Sequence, residues 1–323
     1  MGGVVDVVKA GAEPLSKLID VVSRGIGILY EPTKIRKLAK AKAFEMSTIA
    51  QAIRDNPDLP MFYDRDGVKI DSSDVKALAE RASSRLLLQE MRKQQNIEAI
   101  VDKAYVELQK ETEVSSEPVD DDWIVRFFNS VEDVSNEKLQ EIWARILAGE
   151  IKKPRSSSMR TLDLLKNMSV EEATVFEKVS VCVLDSGVEK YIPDERELWK
   201  EYGIDFRDLF LLCDAGLLNL SELSMNFEFN STRHKIFNNE VVCILAPIPD
   251  TSPKPKKIAV RCLTGAGAEL LEAVKAGSDQ EREFALKYFK KLKLENEDLF
   301  ISAYDLVSVS GCNFHHGSED LLS

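Results

Sequence analysis

The stretch from Asp121 to Leu165 constrains this chain more than any other, because it holds two of the three tryptophans and a run of aromatic residues at helical spacing. Trp123, Phe127 and Val131 recur on one face with Ile124 and Phe128 beside them, which predicts a helix burying a broad aromatic stripe. A second helix is expected after it, with Ser135 as N-cap, apolar positions at Leu139, Ile142, Trp143, Ile146 and Leu147, and Gly149 then Pro154 as the stop. The basic loop Lys152-Lys153-Pro154-Arg155, followed by Ser156 to Ser158, leads into a third helix through Leu162 and Leu165.

A chain of 323 residues has room for two or three domains. It contains no run of about 18 apolar residues of the kind that spans a bilayer, and MGGVVDVVKAGAEP lacks the pattern of a secretory signal, so a cytoplasmic protein is expected. The five cysteines, Cys182, Cys213, Cys243, Cys262 and Cys312, are widely spaced and mostly set in apolar runs, which favours buried reduced thiols over zinc or disulfides. Net charge is −12, but residues 1–50 hold eight Lys/Arg against five Asp/Glu, leaving −15 for the remainder. That polarity argues against general polyanion binding by the whole molecule and singles out the N-terminus.

Residues 1–30 read as an apolar, mildly amphipathic helix, and Glu31-Pro32 opens a basic one carrying Lys34, Arg36, Lys37, Lys40 and Lys42. Such a pair suits an anionic membrane surface or partner. It also suits a packing or oligomerising hairpin, the favoured reading because Asp20 and Arg24 interrupt the apolar face. Residues 56–71 form a linker, a long helix is expected over 72–112, and an acidic linker follows. The expected organisation is a helical arm (1–56), the long helix (72–112), a central helical hub (117–168), an α+β module (169–310) and a flexible tail (311–323). The fold class is mainly α with a smaller α+β part.

In the C-terminal part, Ser169 and Glu172 form a capping box, and helices are expected around Phe176, Trp199 and Phe206 to Leu212. The period then changes to alternation at Met225–Phe229, Val241–Leu245 and Ile258–Cys262. With Ala215-Gly216-Leu217-Leu218 and the phrase Leu263-Thr264-Gly265-Ala266-Gly267-Ala268-Glu269-Leu270, this order looks like a winged helix. From Thr161 onward the chain has 18 Lys/Arg against 28 Asp/Glu, and the second helix offers only Arg207 as a base. Protein contact is therefore expected ahead of DNA binding, which needs several bases on one face.

Chemistry finds little to work with. Asp120-Asp121-Asp122 precedes a helix and reads as an N-cap rather than a cation site; His315-His316 with Cys312 lie at the terminus, and His234 stands alone. There is no P-loop and no complete GxGxxG. The loop of Lys152, Lys153, Arg155, Arg160 and Ser156 to Ser158 could hold a phosphate at a helix N-terminus, against the plainer reading of a connector whose serines cap the next helix. No catalytic residue, cofactor or metal is assigned.

The run Val119 to Trp123, Arg126-Phe127-Phe128, Gln140 to Glu150, Pro154 and Ser158 to Leu162, with Gln94 to Ile97 and Tyr30-Glu31-Pro32, resembles a bacterial family known as domain of unknown function 2806. The resemblance implies a setting on prophages and mobile elements and carries over no catalytic residue. Its identifying residues Trp123, Arg126, Trp143, Glu150 and Arg160 are expected to fix the junction of arm and module.

The resulting expectation is a non-enzymatic, oligomerising interaction protein, in the setting of an anti-phage or abortive-infection sensor-effector. Its partners would be a second copy and an unidentified protein, with contact at the inner membrane through the basic helix. The alternatives are a winged-helix transcription regulator and, behind it, a nuclease or hydrolase using Asp121 or Glu150.

Overall fold

The computed structural model describes residues 13–27, 73–219, 223–229, 233–249, 254–274, 279–310 and 313–323. The five basic residues Lys34, Arg36, Lys37, Lys40 and Lys42 lie outside them. The chain divides into two compact units, one of residues 1–135 with Ile151–Lys153, the other of Asn136–Glu150 with Pro154–Ser323. The boundary at Ser135 falls inside the stretch 117–168 expected to be a single hub. Trp123 and Arg126 belong to the first unit, and Trp143, Glu150 and Arg160 to the second.

The described part of the first unit is built on three helices, α1 (Glu13–Ile26), α2 (Ser73–Leu108) and α3 (Asp121–Val131). Leu18, Val21 and Val22 of α1 are fully buried, so its apolar stripe is spent on internal packing. At Gly25 an added Cβ would lie 2.1 Å from the Phe128 ring, which explains why only glycine fits at this point of contact with α3. Arg24 binds Asp121 and donates to the Val119 carbonyl, and Lys17 donates to the carbonyls of Ser115 and Glu117 at 2.8 and 2.7 Å. These two cations interrupt the apolar face because they tie α1 to the segment that enters α3. Asp120 caps α3 by accepting from Trp123 N–H at 2.9 Å, as its place before the helix predicts. The long helix α2 is used unevenly. Ile100, Val101, Ala104 and Leu108 are wholly buried, whereas Leu78, Leu86 and Leu88 are 57%, 60% and 64% exposed.

The second unit carries an antiparallel sheet of eight strands with helices α4 (Glu137–Lys152, of which residues 137–150 belong here), α5 (Met159–Asn167), α6 (Val170–Ser180), α7 (Arg196–Glu201), α8 (Phe206–Asp214), α9 (Gly265–Leu271) and α10 (Asp279–Glu295). The strands are β1 (Leu184–Asp185), β2 (Lys190–Pro193), β3 (Leu223–Phe227), β4 (His234–Phe237), β5 (Val241–Pro247), β6 (Lys256–Cys262), β7 (Leu299–Ser310) and β8 (Asn313–His316). Their spatial order is β3-β6-β2-β1-β4-β5-β7-β8. Helix α10 packs on β5 and β7 through Phe284, Tyr288 and Phe289, which are buried with Cys243, Ile301 and Ala303. The chain is thus an α+β protein; the change of period along the sequence implies strands here, but the eight-stranded sheet is larger than the smaller α+β part expected of a mainly α chain.

Several details differ from expectation. The cap of α4 is Asn136, whose side chain accepts from Lys138 and Leu139, and not Ser135. Helix α4 continues through Gly149 to Lys152, because a helical glycine is only mildly unfavourable and Pro154 supplies the stop. The segment after residue 312 is not a loose tail. Residues 313–316 pair with β7, Phe314 packs edge-on against Phe237, and Asp320 accepts from Ala303 N–H at 3.0 Å. Among the described residues the four cysteines are free thiols, and no helix is long and apolar enough to cross a membrane.

Candidate interaction site

Helices α7 and α8 follow one another across a short turn in the second unit. Gly203, at φ +67°, turns the chain after α7, and the buried Ile204 anchors the turn. Asp205 then opens α8 in a capping box, accepting from Asp208 N–H at 3.0 Å while the Asp208 carboxylate accepts from Asp205 N–H at 2.9 Å. Lys178 of α6 donates to Asp208 and to the Gly203 carbonyl, fixing the turn against α6. Leu209 and Leu212 face inward and are buried.

The outward face of α8 is aromatic. Phe206 and Phe210, one turn apart, are 42% and 46% exposed and meet edge-to-face with ring centroids 4.7 Å apart. The guanidinium groups of Arg196 and Arg261 stand 5.4 and 5.3 Å from the Phe206 ring centre. Two cations on one ring hold it in place. Arg207 is exposed beside them, and Asp214 is exposed at the far end of the helix.

The end of α8 is locked to the start of α9. Gly216, at φ +74°, ends the helix; Thr264 caps α9 by accepting from Gly267 N–H and donates its hydroxyl to the Gly216 carbonyl at 2.6 Å. A Cβ on Gly267 would lie 2.2 Å from the Leu217 carbonyl oxygen, so α9 can approach this backbone only with glycine there. The two sequence phrases around Leu217 and Thr264 are therefore the two halves of one contact.

The remaining candidates are structural. The Glu150 carboxylate is 1% exposed and accepts from Arg155 N–H at 2.6 Å, Ser156 Oγ–H at 3.0 Å and Ser157 N–H at 3.0 Å. Arg155 has φ 66°, a left-handed conformation held by this bond. At the N-terminus of α5, Glu269 accepts from Ser158 N–H and from the Thr161 hydroxyl. The loop considered as a phosphate cradle is thus filled by the protein's own carboxylates. Asp121 is engaged by Arg24, Arg126 and Arg160 are exposed, and Trp123 and Trp143 are buried in their respective units. His234 bonds the Glu228 carbonyl through Nε2 and sits edge-on to Phe227 and Phe229, a structural histidine.

A cavity of about 130 Å3 lies between β1, β2, the β4–β5 turn, α9 and α10. Its polar groups are engaged within the protein: Lys190 pairs with Glu272, and the Asn238 and Asn239 amides donate to the carbonyl and carboxylate of Glu281. Burial raises the Asp185 carboxyl above its usual range, against the bond it accepts from Gly187 N–H. Among the described residues no group of three or more His, Cys, Asp or Glu is placed to hold a metal.

The aromatic face was missed in the sequence because Phe206 and Phe210 fall at ordinary core spacing; only the turn at Gly203 reveals which side of α8 is outward. The family model described as protein of unknown function, DUF2806, matches residues 80–292, more than half of the chain, and the chain belongs to that family. No curated protein and no solved structure matches it.

Proposed function

We propose that this DUF2806 protein is a non-enzymatic interaction protein, self-associating through α2 and recognising a partner protein through α8 of a winged-helix-like module. The winged-helix reading is supported by the order α6, β2, α7, α8, β3, β6 and by the adjacency β3-β6-β2, in which the first strand neighbours the last. Strands β4 and β5 are inserted between β3 and β6, where a wing loop would stand, and extend the sheet beyond β1.

The observation that carries the functional reading is the outward face of α8. A helix that reads DNA presents donors and cations to the groove; this one presents Phe206 and Phe210. Exposed aromatic residues beside arginine are the composition of protein interfaces. Self-association is supported by Leu78 and Leu86 of α2, eight residues apart and within about 80° of one another around a helix, both more than half exposed. Size-exclusion chromatography with light scattering should give a dimer or larger species that Leu78→Glu with Leu86→Glu converts to monomer. A wild-type monomer at every concentration would remove that clause.

The DNA-binding alternative is favoured by Lys254, Lys256 and Lys257 at the start of β6, although Lys256 pairs with Asp298 at 2.8 Å. It requires tight duplex binding at low salt that weakens steeply as salt rises. Anisotropy of a labelled duplex with the full chain should stay flat; a saturating curve lost on Arg207→Glu would make the module a DNA reader.

A further inference from the structure

We infer that the N-terminal half of α2 pairs with the same half of a second copy running in the opposite direction, each lying along the other's apolar stripe. The inference deepens the self-association reading of α2 and rests on it. Leu78, Ala82, Leu86 and Gln89 follow one another at steps of four, four and three, which keeps them on one side of the helix, and all four are exposed. The same steps lead through Lys93 to Ile97, Ile100 and Ala104, which are buried where α2 meets α1 and α3. One stripe therefore runs along α2, bare before Lys93 and covered beyond it. The level at which the cover ends is fixed. Lys93 donates to the Glu132 carboxylate at 2.7 Å and the Asn96 amide to the Glu132 carbonyl at 2.8 Å, just past the end of α3. A single helix with bare leucines gains little stability from itself, so the stripe is built to meet a further element in line with α1 and α3.

The direction of that element follows from where the cover ends. In a parallel pair facing through this stripe, both copies would bring α1 and α3 onto the same side just past Lys93, into the space between two helices whose axes approach to about 8–10 Å. An antiparallel pair has no such conflict, because the packed end of each helix lies beyond the bare end of the other. The residues also fit their own reverse. A two-fold axis midway between Ala82 and Leu86 sets Leu86 of each helix against Ala82 of the other, a large side chain against a small one. It brings the exposed Arg92 of one copy beside Leu78 of the other, where the aliphatic stem covers the leucine and the guanidinium stays in water. Arg85 approaches its own symmetry mate at the edge of the pair, an exposed like-charge contact that solvent and salt screen. The self-complementary order of leucine and alanine selects a second copy as the occupant.

The test is cross-linking of the full chain, combined with light scattering. A chain carrying Leu78→Cys with Arg92→Cys, both at exposed positions, is treated with a short bis-maleimide. Linkages are assigned by mass spectrometry, which separates them from any formed by the native thiols. Positions 78 and 92 stand about 21 Å apart along one helix, beyond the span of such a reagent, so a 78–92 linkage joins two antiparallel copies. It is expected to exceed the 78–78 and 92–92 linkages at least tenfold, in a species with an even number of chains. Leu86→Glu added to the same chain should abolish it, with folding of each variant checked by circular dichroism. Predominant 78–78 and 92–92 linkages, or an odd number of chains, would overturn the antiparallel inference and leave self-association through α2 standing. An associated species with none of the three linkages, or a monomer at every concentration, would overturn the inference together with the part of α2 in self-association.

Discussion

A methyl group at Gly267 would stand 2.2 Å from the carbonyl oxygen of Leu217, a rigid backbone atom that cannot rotate away. Gly267→Ala should therefore force α9 off the end of α8 and cost about 1–3 kcal/mol, as overpacking does, visible as a lower midpoint in guanidinium denaturation followed by tryptophan fluorescence. Glu150 makes the complementary case. Its buried carboxylate supplies the acceptors for two backbone N–H groups and a hydroxyl, so Glu150→Ala strands those donors and should cost about 1–3 kcal/mol, again by denaturation midpoint. An unchanged midpoint would mean that the 154–158 loop is held by something else. The thiols give a third residue-level expectation. Burial pushes Cys182 and Cys243 far above the usual thiol range and raises Cys262 as well, lowering the reactive thiolate fraction at neutral pH. Among the four described cysteines, native-state alkylation mapped by mass spectrometry should spare these three and label Cys213 first, since burial raises that thiol too but leaves it half-exposed to the reagent. Labelling of Cys243 at a comparable rate would show that the sheet opens.

At the scale of elements, periodicity made the long helix and the apolar side of α4 readable, and local chemistry made the caps at Asp120, Ser169 and Thr264 readable. The Ser169 box is complete: Glu172 N–H reaches Ser169 Oγ at 3.1 Å and Ser169 N–H reaches the Glu172 carboxylate at 2.6 Å. Ser169→Ala should cost about 1 kcal/mol; no loss of thermal stability would show that α6 is held by packing alone. Elements that depend on long-range pairing were not readable. Strand β1 has two residues and β2 has four, too short for a period to show; they pair with one another, and with β4 and β6 across 52 and 67–71 positions of sequence. Strand β8 was hidden although its partner β7 is only 3 to 10 positions away, because four residues with two adjacent histidines show no apolar alternation. The candidate face on α8 falls between these cases. Its helix was legible, whereas the outward direction of Phe206 and Phe210 depends on Gly203 and on the sheet behind it.

At the scale of the whole molecule, the first unit is discontinuous in sequence. It draws on Ile151–Lys153, beyond the Asn136–Glu150 segment that belongs to the second unit. The three returning residues are not incidental: Ile151 is fully buried, the Lys152 carbonyl accepts from Ser115 N–H at 3.0 Å, and the Lys152 ammonium pairs with Glu111 at 3.0 Å. A cut at Ser135 is therefore expected to affect the two halves differently. Residues 136–323 retain the eight-stranded sheet, α10 and the lock between α8 and α9, and should unfold cooperatively by circular dichroism and show dispersed amide resonances. Residues 1–135 lose Ile151 and Lys152 and should be less stable than residues 1–153, because a gap is left in the core and Ser115 N–H loses its acceptor. Equal stability of the 1–135 and 1–153 chains would show that the end of α4 contributes nothing to the first unit.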